Sequence, residues 1–157
     1  MRLIFTFLLS ITLFIINAQI SVDPAFPTPT STITVYFDAT QGNAALANCN
    51  CIVYAHAGVI TDKSTGPSDW KYVQGNWGTD DQKVKMTKVS ENLYSLTYNI
   101  QTFYNVPGGE VIKQLSFVFR NQSGTVVGRT ATGGDIYYNF PDPNAGLQYI
   151  IEKPSLE

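Results

Sequence analysis

Five side chains between residues 54 and 77 carry types and spacings that could do chemistry together: Tyr54, His56, Trp70, Tyr72 and Trp77. Flat aromatic rings stack on the apolar C–H face of a sugar ring, while imidazole, amide and hydroxyl groups match its ring of hydroxyls. On the two-residue period of a strand, Tyr54 and His56 fall on one face, and Trp70 and Tyr72 share a face of the strand that follows. Trp77 stands in the turn Gly75-Asn76-Trp77-Gly78, where a large ring has little core to enter. The set points to carbohydrate binding. Taken one at a time, Tyr54, Trp70 and Trp77 are also the kind of residue that fills a core.

Other chemistries find less to work with. The chain has one histidine and no Gly-x-Ser-x-Gly elbow, His-Glu-x-x-His helix or phosphate-cradling glycine loop, so nucleophilic, zinc and phosphoryl-transfer readings lack their anchor residues. Pairs among Asp62, Asp69, Asp80, Asp81 and Asp135 could supply the two carboxylates of a glycosidase, but these acids lie in turns, where solvated carboxylates are ordinary. The expectation is a non-catalytic segment with no cofactor. Cys49 and Cys51 read as two thiols or a local bridge at a strand entrance. With His56 they lack the fourth ligand of a closed zinc site, so no metal is expected. Twelve acidic against ten basic residues give a net charge of -2 without a Lys/Arg stripe, which excludes nucleic acid as an expected partner. Asn121-Gln122-Ser123 fits a glycosylation acceptor pattern, in a turn where Asn and Ser are favoured anyway.

The elements that must position these residues read as strands. With 157 residues, 44% hydrophobic and 14% charged, the chain is sized for one domain. Residues 3–16 are an almost unbroken apolar run after Arg2, and Ala18 is a small residue at a plausible cleavage point. That run falls short of the roughly 20 residues a membrane span requires. Residues 1–18 are therefore expected to be a cleaved secretory signal, with a secreted product, periplasmic, cell-surface or extracellular, and no membrane span after cleavage. Residues 19–31 hold three prolines and read as an extended lead-in, not an element. Strand patterns follow at 32–38, 51–56, 70–73, 83–86, 94–100, 115–119, 125–128 and 135–140, without a convincing amphipathic helix. The reading is an all-β fold: an antiparallel immunoglobulin-like β-sandwich of about eight strands over residues 32–140. Residues 141–157 read as a linker and one more strand pattern at 146–151, which either returns to the sandwich or opens a following domain.

The blocks Val35-Tyr36-Phe37, Val53-Tyr54-Ala55-His56-Ala57-Gly58, a Trp after a polar loop, a Lys-Met strand, a Tyr-containing strand and Leu115-Ser116-Phe117-Val118-Phe119-Arg120-Asn121 together carry a resemblance. The chain resembles starch-binding modules of carbohydrate-binding families 25 and 26, and more closely the N-terminal β-sandwich that precedes the catalytic barrel in secreted α-amylase-like proteins of Bacteroidetes. The similarity runs from about Asp23 to Phe140. The resemblance implies that His56 hydrogen-bonds or stacks on glucose and that Trp70 is the main platform. The loop between them is longer than the family's, so Trp77 competes for that role. The family's later Trp-Asp-Asn segment has no Trp here, and Gly128-Arg129-Thr130-Ala131 stands where it would fall. The resemblance further implies an α-glucan polysaccharide or oligosaccharide as partner, a downstream catalytic domain, and residues 146–151 as the start of a next domain. Two functions follow: an α-glucan-binding module, in which the indoles stand in water, or a structural immunoglobulin-like spacer or adhesion domain, in which they are buried.

Overall fold

The computed structural model describes residues 18–140. The expected signal, apart from its last residue, and the linker and strand expected over 141–157 lie outside the described residues. Nine strands are present among the described residues: β1 (Ile20–Asp23), β2 (Thr32–Asp38), β3 (Val53–Thr61), β4 (Lys71–Gln74), β5 (Thr87–Ser90), β6 (Leu93–Asn99), β7 (Ile112–Asn121), β8 (Val127–Gly128) and β9 (Ile136–Asn139). One sheet runs β1-β2-β6-β5 and the other β4-β3-β7-β8, with β9 also on β7. Each pairing is antiparallel. The fold is an all-β sandwich.

The two-residue period decides which side chains meet between the sheets. Ile33, Val35 and Phe37 of β2 and Tyr94 and Tyr98 of β6 point inward from the first sheet. Val53, Ala55, Ala57 and Val59 of β3 and Leu115, Phe117 and Phe119 of β7 point inward from the second. Phe37 and Phe119 stack across the gap with ring centroids 3.9 Å apart. Full burial of an aliphatic or phenyl side chain is worth about 1.5–3 kcal/mol, so this layer supplies most of the fold's stabilisation.

Three local expectations are corrected. The lead-in is not wholly irregular: β1 pairs along β2 from Ile20↔Phe37 to Asp23↔Thr34, and the prolines begin only where that strand ends. Residues 83–86 are not a strand. Asp81 caps a 3₁₀ turn at Gln82–Val84 by accepting the Lys83 N–H. Val84 and Met86 still point into the core, so the alternation was a burial signal and not a strand signal. Ile100 does not extend β6 but opens α1 (Ile100–Tyr104), capped by the Asn99 side chain, which accepts the Thr102 N–H, and ended by Asn105 at φ 53°. This turn places Phe103 on Tyr98, centroids 4.0 Å apart. The β7–β8 hairpin turn is held by Asn121, whose side chain accepts the Thr125 and Val126 N–H groups and donates to the Thr125 hydroxyl.

Candidate functional site

The outer face of the five-stranded sheet carries Tyr54, His56 and Gly58 from β3, opposite Arg120, Val118 and Ser116 from β7. Most outward positions of a sandwich meet water, but here two loops lie over the sheet, one from β3 to β4 and one from β4 to β5. Eight of the nine β3 residues are buried, and the exception is His56.

Both indoles converge on that imidazole. Trp70 lies on the backbone of β3: a Cβ added at Gly58 would come within 3.1 Å of its Cε3 and 3.2 Å of its Cβ. Its Nε1 faces the Tyr137 hydroxyl at 3.4 Å, and that hydroxyl in turn donates to the Pro67 carbonyl. The Trp70 ring centroid is 6.2 Å from His56, and Trp77 approaches from the other side at 5.2 Å, nearly perpendicular at 89°. Trp77 is 45% exposed and Trp70 half-buried. His56 Nδ1 sits 2.7 Å from the Gly75 carbonyl, and since a carbonyl only accepts, Nδ1 carries the proton and Nε2 of the neutral ring is an acceptor.

A cleft of about 410 Å³ opens over His56 and Val118, flanked by the two indoles and rimmed by Ser68, Asp69, Arg129 and Asp135. The size is ordinary for a small-ligand site. Asp69 accepts the Thr65 N–H and pairs with Lys71 at 2.9 Å, and these hold its carboxyl below the usual range, the Thr65 amide contributing most. Arg129 and Asp135 form an ion pair. That pair stands at one edge of the cleft, beside the Gly128-Arg129-Thr130-Ala131 segment. Asp62, Asp80 and Asp81 do not line the cleft, and the two acids that do are each tied to a cation.

Two expected ligand contacts are corrected. Tyr54 shares the His56 face but is fully buried under the second loop, with its hydroxyl 2.5 Å from Asp80. Burial first, and then the Asp80 carboxylate, push its phenol up to about 12. It supports the site from below. Tyr72 does not share a face with Trp70, because β4 is irregular there: the pairing shifts register between Ala57 and Val59, and Tyr72 takes φ 51°. Its ring packs on the core, and its hydroxyl donates to Glu110 at 2.6 Å, which raises its pKa.

Sequence reasoning missed Arg120. Its side chain is fully buried with no carboxylate in an ion pair with it among the described residues. Instead it donates to four carbonyls, those of Asn76, Thr79, Asn121 and Gln122, at 2.6–3.1 Å. Its guanidinium also lies 5.0 Å from the Tyr54 ring and 5.8 Å from Trp77. Arg120 therefore ties the Trp77 turn to the β7–β8 turn. Gly124, at φ +72°, completes the seat of Trp77, since a Cβ there would fall 2.4 Å from the indole Nε1. The available signal was a charge ending an apolar strand, Leu115-Ser116-Phe117-Val118-Phe119-Arg120, in register with Tyr54.

Cys49 and Cys51 are disulfide-bonded, with Cα atoms 5.1 Å apart. Among the described residues no three His, Cys, Asp or Glu side chains gather as a metal site. No curated protein matches the chain. A family model does match it over residues 20–127, from β1 to the start of β8 and including His56, Trp70, Trp77 and Arg120, and the chain belongs to that family, the domain of unknown function DUF8578.

Proposed function

We propose that this is a secreted, non-catalytic module that binds an α-glucan, poly- or oligosaccharide, and delivers it to a catalytic partner domain. The observation that supports this reading is the gap in the loop cover at His56: an imidazole held by Nδ1, with its Nε2 an acceptor, between two indoles on the floor of an open cleft. Trp77 offers a half-exposed flat ring to the apolar side of a glucose unit. Nε2 accepts a hydroxyl hydrogen, and Arg129, Asp69 and Asp135 supply donors and acceptors at the rim. The rim pairs each carboxylate with a cation, which favours a neutral ligand over an acidic one.

Soluble starch in a native gel tests the reading. Retardation of the parent is expected, with each of Trp70→Ala and Trp77→Ala weakening binding about tenfold, the effect of losing one well-placed aromatic anchor. The double variant should migrate as if no glucan were present. A parent indifferent to starch, or a folded double variant retarded like the parent, refutes the assignment.

A further inference from the structure

A second cavity, of about 490 Å³, lies on the far side of the Trp77 turn. Gly78 lines it where Trp77 lines the first cleft, so one four-residue turn forms the ridge between them. The opposite wall is the β7–β8 turn, through Gln122 and Ser123, and the floor holds Asn50 and Ile52. Ile52 is 44% exposed, an apolar side chain held in water beside amides. The side-chain amides of Asn50 and Gln122 make no hydrogen bond among the described residues, whereas that of Asn121 is occupied in holding its own turn.

We infer that this second cavity is an extension subsite for the same glucan chain, which crosses the Trp77 ridge and continues into it. The inference rests on the glucan reading of the first cleft. Its lining has the required character: amide donors and acceptors free for hydroxyls, with an apolar patch for a sugar's C–H face. Its position relative to the first cleft is held by the Gly124–Trp77 contact and by one buried side chain that reaches both turns. Arg120 donates through one nitrogen to Asn121 and Gln122, in the wall of the second cavity, and through the other to Asn76, within the ridge, and Thr79, just after it. Two cavities clamped to one buried guanidinium present a constant spacing, as a polymer with a regular repeat requires. A ligand bridging them gains through effective concentration, because the second contact is intramolecular.

Calorimetric titration of the full chain with maltose through maltoheptaose tests this, using the parent, Ile52→Asp and Gln122→Ala. Affinity of the parent should rise at least tenfold between the shortest and the longest sugar. Ile52→Asp should abolish most of that rise, and Gln122→Ala part of it, while both leave maltose affinity at the parent's value. A parent that binds maltose with no further gain on lengthening overturns the extension subsite and leaves the first cleft standing. Undiminished length dependence in both folded variants overturns it equally. A parent that binds neither short nor long sugars removes the glucan reading and this inference together.

Discussion

Replacing Arg120 with methionine should loosen the Trp77 turn without unfolding the sandwich. The substitution keeps an unbranched apolar stem of similar reach and removes the guanidinium from four carbonyls at 2.6–3.1 Å and from the faces of Tyr54 and Trp77. Hydrogen bonds from a charged donor contribute about 1.5–3 kcal/mol each, but their sum is not the cost. A buried charge also carries a desolvation penalty of several kcal/mol that disappears with it. Asn76, Thr79 and Gln122 are exposed residues, and their carbonyls can take water in place of the guanidinium. The net loss should be about 2 kcal/mol, below the roughly 3–5 kcal/mol of a buried pair that loses one partner, because here the charge itself is removed. Urea denaturation measures that loss. Emission anisotropy of Trp77 in a Trp70→Phe background should fall, and starch affinity should fall with it. Arg120→Lys should recover little, because a point charge cannot fork between two turns as a guanidinium does. If Arg120→Met stays within about 0.5 kcal/mol of the parent and Trp77 keeps its anisotropy, Arg120 is not what holds the turn.

Gly124→Ala should displace Trp77 directly, since the new Cβ would stand 2.4 Å from the indole Nε1 at φ +72°. It should cost about 1–3 kcal/mol and weaken starch binding, whereas Gly109→Ala, at φ +88° with nothing within 4 Å, should cost stability alone. Thermal melts and gel retardation of the two variants separate these outcomes. Tyr54 has its phenol raised from 10.0 to about 12 in the folded state, so its contribution to stability is complete below pH 10 and is lost as pH climbs through the folded value. Urea melts across that interval should show stability falling, and Tyr54→Phe should flatten its share of the fall. Tyr98 and Tyr104, also raised by burial, and Tyr72, raised first by its hydrogen bond to Glu110, contribute to the remainder together with Tyr94 and Tyr138.

The sandwich was legible because its signals are local and repeated. Ile33, Val35 and Phe37 alternate, as do Tyr94 and Tyr98, and a period of two survives whatever surrounds it. The same signal misleads where a loop alternates burial without being a strand, as at Val84 and Met86, which reach the core from a capped 3₁₀ turn and the residues after it. The pairing of His56 with two indoles was legible from residue type and proximity in the chain. Which tyrosines joined them was not. Tyr54 lies on the predicted face, but a loop from residues 75–86 covers it, and a cover is a long-range fact that periodicity does not encode. Tyr72 is lost to a register shift of one position, enough to exchange the faces of every following residue. The Arg129–Asp135 pair closes across a local loop held by Thr130 and Gly134, which residue type alone does not announce, and the Arg120 clamp reaches Asn76 and Thr79, 44 and 41 residues away in the chain.

The way β3 is used bears on whether the site is incidental. A spacer domain needs its inner face dry and leaves its outer face to water, with polar residues on alternate positions. Here β3 is covered on both sides, and its outward residues are Tyr54, His56, Gly58 and Ile60, of which three are buried. Covering an outer face requires ordering two loops, at a backbone entropy of about 1–2 kcal/mol for each residue fixed. A cover serving stability alone would be expected to close over the middle of the strand, where apolar contact is densest. This one parts there, over a histidine, and its edges are indoles held by a glycine on each side, Gly58 under Trp70 and Gly124 beside Trp77. An opening framed in this way, with a buried arginine fixing one jamb, is what a binding cleft requires and a spacer does not.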